Sequence, residues 1–110
     1  MKENAASELL RGHTDTVVLS ILAKGDNYGY EIRRTIIDKA GGSFELKEAT
    51  LYSSYKRLEN GGYITSYWGD ETQGGRRRYY RVTDAGRELF RQNKSDWLKT
   101  QALLNKLLED

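Results

Sequence analysis

Residues 63–83 read YITSYWGDETQGGRRRYYRVT, two runs of alternating aromatic and β-branched residues separated by a polar, glycine-rich stretch. A period of two is the mark of a strand, and it sends Ile64, Ser66 and Trp68 to one face and Tyr63, Thr65 and Tyr67 to the other. Two such runs around Gly74-Gly75, where positive φ costs little, predict a β-hairpin with a long loop. The second run opens on Arg76, Arg77 and Arg78, so the hairpin is suited to meet something anionic. A plainer account of the three arginines is a solvated strand edge kept soluble by charge. Asp70 and Glu71 at the tip read as solubilising residues.

Outward from the hairpin, the chain contains no proline, so glycine must supply the breaks, and Gly41-Gly42, Gly61-Gly62 and Gly74-Gly75 divide it into pieces of helical or hairpin length. A first helix is predicted from about Ala5 to Lys24, with Leu10, Thr14, Val17, Val18, Ile21 and Leu22 at helical spacing and Gly25 as its stop. A second runs from about Tyr28 to Ala40, where Gly29, Ile32, Ile36 and Ala40 recur and Ile37 widens the stripe. The third, from about Glu48 to Asn60, buries Leu51, Tyr55 and Leu58 and leaves Thr50, Ser53, Ser54 and Arg57 on the other side. Lys47 stands where a capping Ser, Thr, Asp or Asn would be expected, so its start is weakly marked. Thr83 followed by Asp84 caps a last helix reaching about Leu108, roughly 37 Å long.

That last helix carries Leu89, Phe90, Trp97, Leu98, Ala102, Leu103, Leu104, Leu107 and Leu108, more apolar surface than so small a core can cover. Phe90, Trp97 and Leu104 recur every seven residues, which suits packing between subunits. Asn93, Thr100 and Gln101 interrupt the strip and argue against a strict zipper. At 110 residues and 37% hydrophobic content there is room for one modest core, near the size at which oligomerisation adds stability.

Formal net charge is only +2. From Lys47 to Val82, however, Lys47, Lys56, Arg57, Arg76, Arg77, Arg78 and Arg81 face only Glu48, Glu59, Asp70 and Glu71, leaving +3 there and −1 on the remainder. The absence of cysteine excludes disulfides, thiolate metal sites and cysteine nucleophiles. No apolar run approaches the ~20 residues of a membrane span, and no signal-peptide pattern precedes Leu9. The chain reads as soluble and cytoplasmic.

Three helices and then a two-stranded hairpin, with a small, polar and basic face on the third helix, is the order of a winged helix-turn-helix. The fold class is α+β and mostly helical. Residues 1–82 would form a DNA-binding domain whose first helix also meets a partner subunit, and residues 83–110 a dimerisation helix. A recognition helix needs side chains short enough to admit its backbone to the major groove and a few donors for base edges and phosphates. The candidates are Lys47, Thr50, Tyr52, Ser53, Ser54, Lys56 and Arg57, with Arg76, Arg77 and Arg78 of the wing on backbone or minor groove. Ser53 and Ser54 also fit an ordinary exposed helix face. Tyr52, Tyr55, Tyr79 and Tyr80 are expected mainly to pack, each with a polar tip able to reach a phosphate. Trp97 is an interface anchor or a ligand platform. His13, the only histidine, has no clustered partner for metal or catalysis.

The segments Tyr28-Gly29-Tyr30-Glu31-Ile32, Ala49-Thr50-Leu51-Tyr52, Lys56-Arg57-Leu58-Glu59 with Gly62, and Gly75-Arg76-Arg77-Arg78-Tyr79-Tyr80-Arg81-Val82-Thr83 with Gly86 resemble the PadR family of transcriptional regulators, in its short branch lacking a long C-terminal domain. The resemblance covers essentially the whole chain. It implies a homodimer in which the last helix packs across the partner's first helix and two winged helices sit on a palindromic operator of double-stranded DNA. It also implies repression of nearby genes, often a transporter, relieved by small molecules. In multidrug-binding members of the branch a planar aromatic effector lies in a flat channel at the dimer centre between paired tryptophans. Carried over, the lining is Trp97 with Leu9, Gly12, Thr16, Leu19, Ser20, Leu89, Asn93 and Gln101. Thr16 and Lys94 make it more polar than that pattern. Near DNA, Ser53 stands where many members have proline, and Lys47 where they have a capping Ser or Asn, so an operator sequence does not carry over.

The expected function is therefore a dimeric DNA-binding regulator without cofactor or metal. A ligand-binding or protein-interaction module on the same fold, without operator binding, is the alternative. No nucleophile, metal cluster or phosphate loop supports an enzyme.

Overall fold

A computed structural model describes residues 10, 12–42, 46–69 and 76–110. In chain order these form α1 (Thr14–Leu22), β1 (Asn27–Tyr28), α2 (Gly29–Lys39), α3 (Glu48–Asn60), β2 (Ile64–Trp68), β3 (Arg78–Val82) and α4 (Asp84–Leu108).

The single core is assembled from the apolar stripes that helical spacing places on one side of each helix. Val18, Leu19 and Leu22 of α1, Ile32 and Ile36 of α2, and Leu51, Tyr55 and Leu58 of α3 meet Leu46, Ile64, Tyr80 and Val82. The helix expected from Ala5 does not run unbroken. Gly12 takes φ +89°, and the His13 amide turns back to the Leu10 carbonyl at 2.8 Å. A left-handed residue cannot continue a right-handed helix, so α1 starts at Thr14. The part of that expectation on residues 1–9 and 11 lies outside the described residues. At its other end α1 stops at Leu22, short of Lys24, and Gly25 follows at φ +155°.

The hairpin forms in the expected phase. β2 pairs antiparallel with β3 through Ile64↔Val82, Thr65↔Arg81, Ser66↔Tyr80, Tyr67↔Tyr79 and Trp68↔Arg78, and the Gly69 amide adds one bond to the Arg77 carbonyl at 2.8 Å. Ile64, Tyr80 and Val82 lie on the core face, all buried. The tip, including the expected positive φ at Gly74-Gly75, lies outside the described residues. A third strand was not anticipated. Asn27 and Tyr28, between α1 and α2, pair with Tyr80 and Tyr79 and make the sheet order β1-β3-β2. Tyr28 is thus an extended residue preceding α2, at φ −118° and ψ 163°, and not its first turn.

α3 has the expected limits, and Lys47 gives it no side-chain cap. α4 begins on a complete cap: Thr83 Oγ1 accepts from the Gly86 amide at 3.0 Å and donates to the Gly62 carbonyl at 2.8 Å. The first half of α4 lies along α1, where Arg87 donates to the Ala23 carbonyl at 3.2 Å and Asn93 Nδ2 to Thr16 Oγ1 at 2.9 Å. Beyond that contact Trp97, Leu98, Leu103, Leu104, Leu107 and Leu108 stand exposed. Three helices around one core with a β-wing, followed by a long projecting helix, is a winged helix-turn-helix with a C-terminal extension. No helix among the described residues is long and apolar enough to cross a membrane.

Candidate functional site

The exposed side of α3 presents Thr50, Tyr52, Ser53, Lys56 and Arg57, with exposed Lys47 just before it. Thr50, Ser53 and Arg57 follow one another at helical spacing and make one stripe. Ser54 does not belong to that stripe. It is 0% exposed because α1 crosses α3 there, and its hydroxyl donates to Asp15 Oδ1 at 2.5 Å, so it cannot enter a groove. The same carboxylate takes Arg57 from both nitrogens: Nη2 to Oδ1 at 2.7 Å and Nε to Oδ2 at 3.1 Å. Those bonds hold the Arg57 pKa above its ordinary value, with burial opposing.

Tyr52 departs from the packing expectation. It is 59% exposed, with the Lys56 ammonium 5.6 Å from its ring centroid. Tyr55 and Tyr80 do pack, stacked in the core at 4.5 Å. Tyr79 is half-buried between Tyr28 and Tyr67, with ring centroids at 5.3 and 5.7 Å.

The four arginines around β3 divide into two kinds. Arg78 is exposed but tied to its own chain, where its Nη2 donates to Ser66 Oγ at 2.8 Å and reaches Glu59 Oε2 at 3.4 Å, and Ser66 itself donates to Glu59 at 2.7 Å. Arg81 pairs with Asp26 at 3.0 Å, and the Tyr67 hydroxyl donates to the same oxygen at 2.6 Å. That bond raises the Tyr67 pKa. All four lie over aromatic rings, Arg76 5.2 Å from Trp68, Arg77 4.8 Å from Tyr28, Arg78 6.0 Å from Tyr80 and Arg81 5.0 Å from Tyr67, so the division lies in their carboxylate contacts. Among the described residues neither Arg76 nor Arg77 has a carboxylate partner, and both are exposed.

A groove of about 600 Å³ separates the wing from the helices. Tyr28 of β1, Tyr30 of α2, Glu48 and Tyr52 of α3, Arg77 just before β3 and Arg78 at its start all line it. Arg33 on its wall donates to the Leu46 carbonyl at 2.8 Å and ties α2 to the approach to α3. The start of α3 and the wing therefore share one side of the molecule.

The expected ligand set is only partly gathered within one chain. Trp97, 44% exposed, meets the His13 ring edge-on at 5.5 Å, beside the Thr16–Asn93 bond. Leu19 is removed from the set, because it lies on the core stripe of α1 at 0% exposure. Ser20 donates to the Val17 carbonyl of its own helix at 2.6 Å and borders a different depression with Lys24, Asp26 and Lys39. Leu89 packs against the core, Gln101 is exposed on α4, Gly12 is exposed in the turn before α1, and Leu9 lies outside the described residues. Among the described residues no group of three or more His, Cys, Asp or Glu could hold a metal ion.

Asp15 was the residue missed. Its partners are 39 and 42 positions away, and nothing in local spacing announces them. β1 was missed for a related reason, since two residues carry no period.

Residues 18–92 match the model of the transcriptional regulator PadR-like family. A transcriptional regulator from Clostridium thermocellum is 45% identical, with a TM-score of 0.85 over 94% of this chain and 97% of that one. A PadR family transcription regulator from hypervirulent Clostridium difficile is 37% identical, with a TM-score of 0.79 over 88% and 99%. Bacillus subtilis PadR, solved in complex with operator DNA, is 26% identical, with a TM-score of 0.62 over 76% of this chain and 45% of that one. With the family match spanning the core, the wing and the start of α4, the chain belongs to the PadR-like family, whose members are regulators of transcription and not enzymes.

Proposed function

We propose that the chain is a dimeric, sequence-specific DNA-binding repressor of genes near its own, released from its operator by a planar aromatic ligand bound where two α4 helices meet. The observation that carries this reading is the groove whose walls are shared by the start of α3 and by Arg77. One approaching duplex can then meet both the polar stripe Thr50–Ser53–Arg57 and the exposed wing arginines Arg76 and Arg77. Base edges would be read by α3, and phosphates gripped by Lys47, Lys56, Arg57, Arg76 and Arg77. The operator-bound Bacillus subtilis relative supports this use of the fold.

The dimer reading rests on the exposed strip Trp97, Leu104 and Leu108, an apolar face that one chain does not cover. In that arrangement residues 1–82 form the DNA reader and residues 83–110 the dimerisation helix. Two recognition helices would sit about 34–36 Å apart, and a ligand between the α4 helices would disturb that spacing.

A footprint on the gene's own upstream region, with a scrambled fragment of equal length as competitor, tests the function. Protection of an inverted repeat at low protein concentration is expected. Equal affinity for the scrambled fragment would instead leave a ligand- or protein-binding module on the same fold.

A further inference from the structure

We infer that Asp15 on α1 is a positioning residue for sequence reading, holding the Arg57 fork and the turn around Ser54 so that α3 presents one fixed face to DNA. The inference rests on the reading of α3 as the recognition helix. Its ground is a carboxylate whose hydrogen bonds, among the described residues, are all with that helix: Oδ1 accepts from Ser54 at 2.5 Å and from Arg57 Nη2 at 2.7 Å, and Oδ2 from Arg57 Nε at 3.1 Å.

This bidentate grip engages two of the five guanidinium N–H groups and leaves the others available. The Arg57 side chain is 58% exposed and that of Asp15 only 28%, so the free donors point outward and the carboxylate stays behind them. An arginine alone on a helix surface samples many rotamers, whereas one held by a fork keeps its outward donors in one plane. Because Ser54 is 0% exposed and bonded to the same carboxylate, the rotation of α3 about its axis is set as well. Thr50 and Ser53, on the Arg57 stripe, take their direction from it. Asp15 also lies between His13 and Thr16, which touch Trp97 and Asn93 of α4, so a shift of α4 against α1 reaches the recognition helix through this residue.

The sign of the charge makes the inference testable. A bystander carboxylate near DNA repels phosphates, and its removal strengthens binding to every sequence. A positioning carboxylate gives the opposite result on the operator alone. The experiment uses the full chain as wild type, Asp15→Asn, Arg57→Lys and Ser54→Ala, on the footprinted operator and on a scrambled fragment at fixed salt, with circular dichroism confirming each fold. Asp15→Asn and Arg57→Lys should each lose roughly tenfold in operator affinity, with scrambled binding altered less than about twofold. Ser54→Ala, which keeps the fork, should lose less.

Tighter binding of Asp15→Asn to both fragments, or an unchanged ratio between them, would overturn the assignment. Arg57→Lys gives the decision where Asp15→Asn does not fold. A wild-type chain without operator preference would sink the functional reading and with it the sequence-reading part of this one, leaving the hold of Asp15 on α3 to be tested by itself. Amide exchange over Glu48–Asn60 then decides: faster exchange in Asp15→Asn supports the positioning role, and unchanged exchange ends it.

Discussion

A Cβ placed on Gly86, in the first turn of α4, would lie 2.1 Å from the carbonyl oxygen of Tyr63 and 2.7 Å from Cγ2 of Val82. The long helix is thus laid on the chain entering β2 at a distance only glycine permits. The Tyr63 oxygen cannot withdraw freely, because it accepts the Thr83 amide at 3.0 Å, and Thr83 is the cap of the same helix. In an unconstrained helix, replacing Gly by Ala gains about 1 kcal/mol. Here Gly86→Ala is expected to destabilise by ~1–3 kcal/mol through overpacking against backbone. A urea unfolding midpoint at or above wild type would show that the contact is looser.

The Tyr55 hydroxyl is buried with no hydrogen-bond partner among the described residues, although its ring is well stacked on Tyr80. Tyr55→Phe keeps the stack and removes the orphaned group, so stability should rise by ~1 kcal/mol. The same burial, reinforced by Tyr80, raises the Tyr55 pKa above its ordinary 10, and burial raises Tyr80 as well. Above pH 10 the unfolded chain therefore releases protons that the folded chain retains. Stability is fully present below that pH and falls as pH climbs through it. Urea unfolding at pH 9 and pH 11 should show this fall, and Tyr55→Phe should make it shallower. An identical fall in the variant would assign the loss to other groups.

The limits of α3 and α4 were legible because each carries a strong local signal: the stripe Leu51–Tyr55–Leu58 in one, and the Thr83 cap followed by an apolar period in the other. Ser54 and Tyr52 were misjudged for a common reason. Helical spacing sorts side chains by direction but does not say which direction a neighbouring helix will occupy. α1 crosses at Ser54 and buries it, while Tyr52 faces the open groove. The pair Asp15–Arg57 spans 42 positions, and no local pattern couples residues so far apart. Leu19 was assigned by resemblance to a ligand lining, whereas its own place on the Val18–Leu22 stripe already pointed to the core.

Arg77 and Arg78, adjacent in sequence, should behave differently toward salt. Arg77 lies over Tyr28 without a carboxylate partner among the described residues, so Arg77→Ala should lower the slope of log affinity against log salt by ~1 unit. Arg78 is already engaged by Glu59 and Ser66, and Arg78→Ala should change the slope less. Titrations from about 50 to 200 mM salt measure both. Slopes equal to wild type in both variants would return the arginines to a solvated strand edge.

Trp97 and the Thr16–Asn93 bond allow ligand capture and signal transfer to be separated. A planar aromatic cation stacked on Trp97 should quench fluorescence saturably. Trp68 also emits and is exposed, so the control is Trp97→Ala, in which the saturable component should vanish. Asn93→Ala breaks the 2.9 Å bond to Thr16 but leaves the Trp97 ring and its edge contact with His13 in place. Because Asn93 is itself in the expected lining, dye affinity should fall in Asn93→Ala, but less than in Trp97→Ala, while the dye's weakening of operator binding at saturating dye, expected at about 5- to 150-fold for an allosteric coupling, should shrink. Equal quenching in wild type and Trp97→Ala would remove the tryptophan from the ligand site. Full coupling in Asn93→Ala would mean that α4 reaches the recognition helix without this bond.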